Sequence, residues 1–234
     1  MLAYDDSHTL LPSDYYLMEF VPGRPLDQLR GAMSEDAQAR IDRQVGALLA
    51  ELNAVAGDAF GTLAAPAAPG AGWREVFTAL LEGALSDGEA VGATLPLPYP
   101  QIRALIAAAA PALDAVRAPR LVHWDLWDGN IFVDEATGAL TGIIDFERAL
   151  WGDPLMEFQF RRLTTRAAFS AGYGPDALAT PEGRIRRHLY DLYLGAILII
   201  ECDYRQYPTR DQAAWAAEQL GPTLAALRAP HPPL

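Results

Sequence analysis

The chain has 234 residues, a single cysteine (Cys202) and a formal net charge of −12 at pH 7. Half of it is hydrophobic and a fifth charged, which excludes a disordered chain. The acidity disfavours nucleic acid, whose phosphates bind basic surfaces; it would suit a cationic small molecule, but solubility alone accounts for it and is the preferred reading.

The first residues read as extended. Leu2-Ala3-Tyr4 is a short apolar run, and Asp5-Asp6-Ser7 and Pro12-Ser13-Asp14 supply turns. Tyr15 to Val21 is an aromatic-rich strand stopped by Pro22-Gly23. Ser34 caps a helix whose first turn carries Glu35 and Asp36. Ile41, Val45, Leu48, Leu49, Leu52 and Val55 fall on one face of it, and Gly57 is its stop. Residues 62–72, rich in Pro, Ala and Gly, form a loop. Helices follow from Trp73 to about Ala90 and from Tyr99 to about Arg117, with Pro111 ending or kinking the second.

Leu121-Val122-His123 is then a short strand. Ile131-Phe132-Val133 and Leu140 to Ile144 form a hairpin around Asp134 to Gly138. From Asp153 helices return, over about 153–163, 182–206 and 209–228, before a proline-rich tail. Cys202 lies in an apolar helical stretch and reads as a buried thiol. It cannot form an internal disulfide, so the cytoplasm is the default compartment. The most apolar run, Ala196 to Ile200, falls far short of the roughly 20 residues that span a bilayer. Helices segregated from a few strands make an α+β fold.

The chemistry concentrates in His123-Trp124-Asp125-Leu126-Trp127-Asp128-Gly129-Asn130 and Ile143-Ile144-Asp145-Phe146. Phosphoryl transfer needs one Asp to orient or accept the proton of the attacking hydroxyl, and an Asn and a second Asp to hold Mg²⁺ on the phosphates. The Asp125–Asn130 spacing suits that task, and Asp145 ends the second strand of a hairpin. Antiparallel pairing can return it towards Asn130.

These motifs, together with Gly152-Asp153-Pro154, resemble the aminoglycoside phosphotransferase family of small-molecule kinases, within the protein-kinase-like fold. The resemblance implies a mainly helical C-terminal catalytic lobe over 23–234, with short β hairpins. Residues 1–22 would be a remnant of the N-lobe strands and the hinge. It implies Asp125 as catalytic base and His123 as the residue bracing the loop. Asn130 and Asp145 would be the Mg²⁺ ligands, and Asp153 a second layer of support as a helix N-cap. In the hinge the Glu19 carbonyl and the Val21 N–H would read the adenine of ATP. The acceptor would be a hydroxyl of a small molecule, and the exposed N-terminal strands could pair two copies of the chain.

Trp124 and Trp127 either stack on a substrate or pack against helices, with packing preferred. Asp128, Glu157 and Asp203 either form an acidic acceptor surface or are separate solvated charges.

The chain departs from the family pattern upstream. It has no lysine and no glycine before Gly23, so most of the N-lobe phosphate grip is missing. Lysine-nucleophile and Schiff-base chemistry are excluded with it. Two readings stand: an ATP-dependent phosphotransferase, and a non-catalytic kinase-like lobe acting in binding or regulation. A metal-dependent hydrolase ranks below both, because the His/Asp ligand spacings are missing.

Overall fold

Polar turns between aromatic runs make the first element a small antiparallel hairpin. In the computed structural model, which describes residues 2–158, 167–174 and 180–229, β1 (Ala3–Asp5) pairs with β2 (Tyr15–Leu17), Tyr4 opposite Tyr16. The Tyr15 hydroxyl donates to Asp5 at 2.8 Å. The strand expected over 15–21 stops at Leu17, because the ladder it joins ends at the Ala3–Leu17 pair. Residues 18–22 are irregular, and Phe20 is 86% exposed.

Two further sheets are interleaved with the helices. β3 (Arg24–Pro25), β6 (Ile131–Val133) and β7 (Leu140–Ile143) form one antiparallel sheet in the order β3-β6-β7. β4 (Gly61–Thr62), β8 (Leu150–Gly152) and β5 (Arg120–Val122) form the other, in the order β4-β8-β5. Strands of two or three residues are too short to display an alternation, so β3, β4 and β8 leave no periodic trace in the sequence.

After the single turn α1 (Leu26–Leu29), α2 (Glu35–Ala54) begins at Ser34, whose hydroxyl accepts the Ala37 N–H at 3.3 Å. Its apolar face buries Ile41, Val45 and Leu49, whereas Val55 lies past its end and is half exposed. α3 (Trp73–Ala90) runs as expected. α4 (Tyr99–Ala109) tightens at Pro111 into a 3₁₀ turn, Ala110–Ala115. The helix expected over 153–163 opens as a 3₁₀ turn over Pro154–Glu157, capped by Asp153, and Phe158 is helical; residues 159–163 lie outside the described ones. α5 (Ala167–Tyr173), α6 (Pro181–Tyr204) and α7 (Asp211–Arg228) complete the order.

The core has two parts. The larger gathers Trp73, Phe77, Leu81, Leu113, Tyr190 and Ile199 from α3, α6 and the turn after α4. The smaller gathers Leu26, Ile41, Val45, Leu49, Ile131 and Val133. α5 lies on α2 at backbone distance: a β-carbon on Gly46 would strike the Phe169 carbonyl, and one on Gly172 the Arg43 carbonyl. The loop between β5 and β6 straddles the seam. Val122 and Trp124 belong to the larger core, Leu126 and Ile131 to the smaller. Residues 123–130 are thereby anchored from both sides. Cys202 is buried and donates to the Leu198 carbonyl at 3.3 Å. Among the described residues no helix is long and apolar enough to cross a membrane.

Candidate active site

The loop is fastened first by a buried carboxylate. Glu157 accepts the main-chain N–H of His123 at 2.6 Å and that of Trp124 at 3.3 Å. Asn53 bridges the same carboxylate at 3.4 Å and the Leu121 carbonyl at 2.7 Å. Glu157 is 3% exposed. It is therefore a loop anchor and not part of an acidic acceptor face, because its charge is committed to two backbone donors. An acid three residues after Pro154 among apolar neighbours is the only sequence signal for it.

His123 supplies the second tie. Its Nδ1 accepts the Asp125 N–H at 3.3 Å, so Nε2 carries the proton and donates to the Ile144 carbonyl at 2.9 Å. Burial pushes the imidazole pKa down, which keeps this neutral tautomer. Ile144 is clamped at both ends, since its own N–H donates to the Asn130 carbonyl at 3.0 Å. The β6–β7 register, Ile131 opposite Ile143, sets up that bond. Asp145 follows directly, in the left-handed region at φ 70°, ψ 61°. Its carboxylate is exposed. Phe146 covers His123, ring centroids 4.4 Å apart.

Asn130 is buried, and its Nδ2 donates to the Asp125 carbonyl at 2.8 Å, which turns Oδ1 to the other side. The Asp125 carboxylate is partly buried. Burial raises its pKa to about 6, against the pull of Arg148, while Asp145, Glu147 and Glu201 push it further up. Arg148 Nε lies 3.7 Å from Asp125 Oδ2. Trp124, at φ 64°, turns its ring into the core. There it stacks on Tyr193 at 5.1 Å, with the Arg148 guanidinium 5.7 Å from its centroid. Trp127 is half exposed.

The other acids disperse. Asp128 and Asp42 both bind Arg30, at 3.0 and 2.8 Å, tying the loop to α2. Asp203 pairs with Arg210. Asp153 caps Leu155 at 3.1 Å and accepts the Tyr190 hydroxyl at 2.6 Å. Arg148 and Asn53, which shape the site, carry no motif signal of their own.

The segment with Glu19 and Val21 lies along β7. Thr141 donates to the Pro22 carbonyl at 2.5 Å, and Val21 covers Gly142. Glu19 is exposed. The segment thus meets the strand that leads to Asp145.

Asn130 and Asp145 carry the donor types that Mg²⁺ takes. An amide oxygen and a carboxylate leave most of a coordination shell to water and phosphate, as that ion prefers. Among the described residues no group of three His, Cys, Asp or Glu side chains could hold a metal by itself, so a closed all-protein cage is not built.

A mainly helical α+β lobe, with a loop bearing Asp and Asn and a hairpin that returns a second Asp, is the kinase-like architecture of small-molecule phosphotransferases. The chain belongs to the phosphotransferase enzyme family (APH), whose model matches residues 1–187. Among solved structures it is similar to a thermostable mutant of aminoglycoside phosphotransferase APH(4)-Ia, in ternary complex with AMP-PNP and hygromycin B. There the identity is 20% and the TM-score 0.61, over 89% of this chain and 70% of that one. It is also similar to a choline/ethanolamine kinase family protein from Mesorhizobium loti (19% identity, TM-score 0.57, 84% of this chain and 66% of that one). A third is APH(2")-IIa in its gentamicin complex (18%, 0.52, 88% and 68%). At such identities the likeness is one of fold. No curated protein sequence matches the chain.

Proposed function

We propose that the chain transfers the γ-phosphate of ATP to a hydroxyl of a small molecule in a Mg²⁺-dependent reaction, with Asp125 as the base. The observation that carries this reading is the clamp on Ile144. Bonds to the Asn130 carbonyl and to His123 gather the segments bearing Asp125, Asn130 and Asp145 at one point. Asn130 and Asp145 would hold Mg²⁺, which neutralises charge on the phosphates when bound. The Glu19 carbonyl and Val21 N–H would receive the adenine. Asp125 orients the acceptor hydroxyl and takes its proton as the new O–P bond forms and the bond to ADP breaks. A carboxylate whose pKa burial lifts to about 6 suits that role. His123 and Glu157 act by fixing the loop. A lone buried thiol and the lack of a disulfide favour the cytoplasm.

The absence of lysine favours a second reading, a kinase-like lobe that binds without catalysing, because positioning is most of phosphoryl-transfer catalysis. Calorimetric titration with Mg-ATP, followed by ATP-turnover assays over hydroxylated acceptors, separates the two. The enzyme reading expects saturable Mg-ATP binding and a turnover that Asp125→Ala lowers by about 10²–10⁴-fold. Turnover indifferent to Asp125→Ala, or no Mg-ATP binding at all, would leave the binding reading standing.

A further inference from the structure

A cavity of about 440 Å³ lies between α3 and α6, and Arg148, which lines it, reaches from it to Asp125. Its volume falls in the range of small-molecule sites. Leu80, Tyr193, Ile197 and Ile200 supply apolar walls, and Gly83 opens a gap in the α3 side. A second hollow of about 320 Å³ meets the same Leu80, Arg148 and Tyr193 and extends the apolar surface to Trp124 and Leu150.

The charges around the main cavity balance. Among the described residues that line it, two are acids, Asp87 and Glu201, and two are bases, Arg148 and Arg205. Glu201 is already engaged. Its Oε2 lies 3.6 Å from Arg148 Nη2 and 3.8 Å from Arg205 Nε, and its Oε1 accepts from Gln212 at 2.6 Å. Arg148 reaches from Glu201 to Asp125, so a guanidinium stands between the cavity and the proposed base, with Glu147 beside it on the second hollow. A polycation entering here meets two guanidiniums and finds Glu201 occupied. A neutral molecule with an apolar body meets matching walls and leaves the ion pairs intact. The net charge of −12 is thus not concentrated on this cavity.

We infer that the acceptor is an uncharged amphipathic alcohol, its apolar body against α3 and α6 and its hydroxyl presented to Asp125 beside Arg148, and that polycationic amino sugars are discriminated against. The inference rests on the proposed phosphotransfer for its direction, but the pocket itself can be tested without nucleotide.

The experiment is calorimetric titration of the full chain, free of ATP. The probes are octyl β-D-glucopyranoside below its critical micelle concentration, phenyl β-D-glucopyranoside, gentamicin and hygromycin B. At least one neutral glycoside is expected to bind saturably and the two amino sugars not to. Gly83→Phe has open space above it and replaces the poorest ordinary helix former. It should fill the cavity and weaken glycoside binding about tenfold or more, without lowering the melting temperature. Arg148→Ala should admit gentamicin, because Glu201 and Asp125 then lose their cation. Saturable amino-sugar binding by the unaltered chain, silence from both glycosides, or glycoside binding indifferent to Gly83→Phe each overturns the inference. Glycoside binding with the expected preferences but no Mg-ATP turnover removes the enzyme reading and keeps the pocket assignment.

Discussion

Asp125 illustrates how one residue's chemistry is set by its surroundings. It is an ordinary loop aspartate in composition, yet burial lifts its pKa from 3.8 to about 6. The folded state therefore binds that proton more tightly than the unfolded chain. The group's contribution is most favourable below pH 3.8, declines as the pH rises towards about 6 and stays low above it. In metal-free protein kept in chelator, Asp125→Asn should raise unfolding free energy at about pH 8 and leave it nearly unchanged at about pH 4. Urea unfolding at both pH values checks this, and an equal effect at the two would contradict it. Trp124 and Asp145, both with positive φ, carry local strain of roughly 1–2 kcal/mol each. Strain of that kind persists only where neighbours over-determine it. Here the Glu157 bonds and the Ile144 clamp do so.

At the scale of elements, the long helices were legible because their apolar residues repeat at helical spacing. Ser34, Ile41, Val45 and Leu49 located α2, and Pro111 marked the end of α4. The errors share one cause, which is that a segment's partner is not written in its own residues. Tyr15 to Val21 has strand composition throughout, but only the first three residues find a ladder. Pro154-Leu155-Met156-Glu157 reads as a first α-helical turn, but it winds as a 3₁₀ turn before the helical Phe158, with Glu157 drawn to the main-chain amides of His123 and Trp124. The α2–α5 contact was equally hidden. Gly172 there meets backbone, which cannot move aside as a side chain can. Gly172→Val should therefore destabilise the protein by at least about 2 kcal/mol, by overpacking. Guanidinium unfolding measures it, and an unchanged midpoint would show that α5 is not held against α2 as described.

The whole molecule is uneven in stability. The two cores meet under the loop of residues 123–130, so the candidate site rests on buried side chains from both. The β1–β2 hairpin differs. Its aromatic and aliphatic side chains Tyr4, Tyr16 and Leu17 are exposed, and its side-chain hydrogen bonds, Tyr4 to Asp14 and Tyr15 to Asp5, stay within the hairpin. Two strands alone are marginal in water. Backbone amides of Tyr4 and Tyr16 should exchange with deuterium orders of magnitude faster than those of Leu189 and Ile199 in α6, where opening approaches global unfolding. Comparable protection in the two regions, read by mass spectrometry, would falsify this division. The chain also spans 70% of the length of the APH(4)-Ia structure it resembles.

The spacing of the proposed catalytic residues is written locally in the chain. Asp125, Asn130 and Asp145 stand at spacings that a loop and one hairpin can bring together, and such short-range geometry is encoded locally. What the remaining charges do depends on contacts made across the fold. Glu157 anchors backbone 34 residues before it, and Arg30 binds Asp128 from 98 residues away. Arg148 and Glu201 meet at the cavity and offset each other's charge. The reason is physical: an ionised side chain acts through whatever lies within a few ångströms of it, and its neighbours in space come from distant parts of the chain.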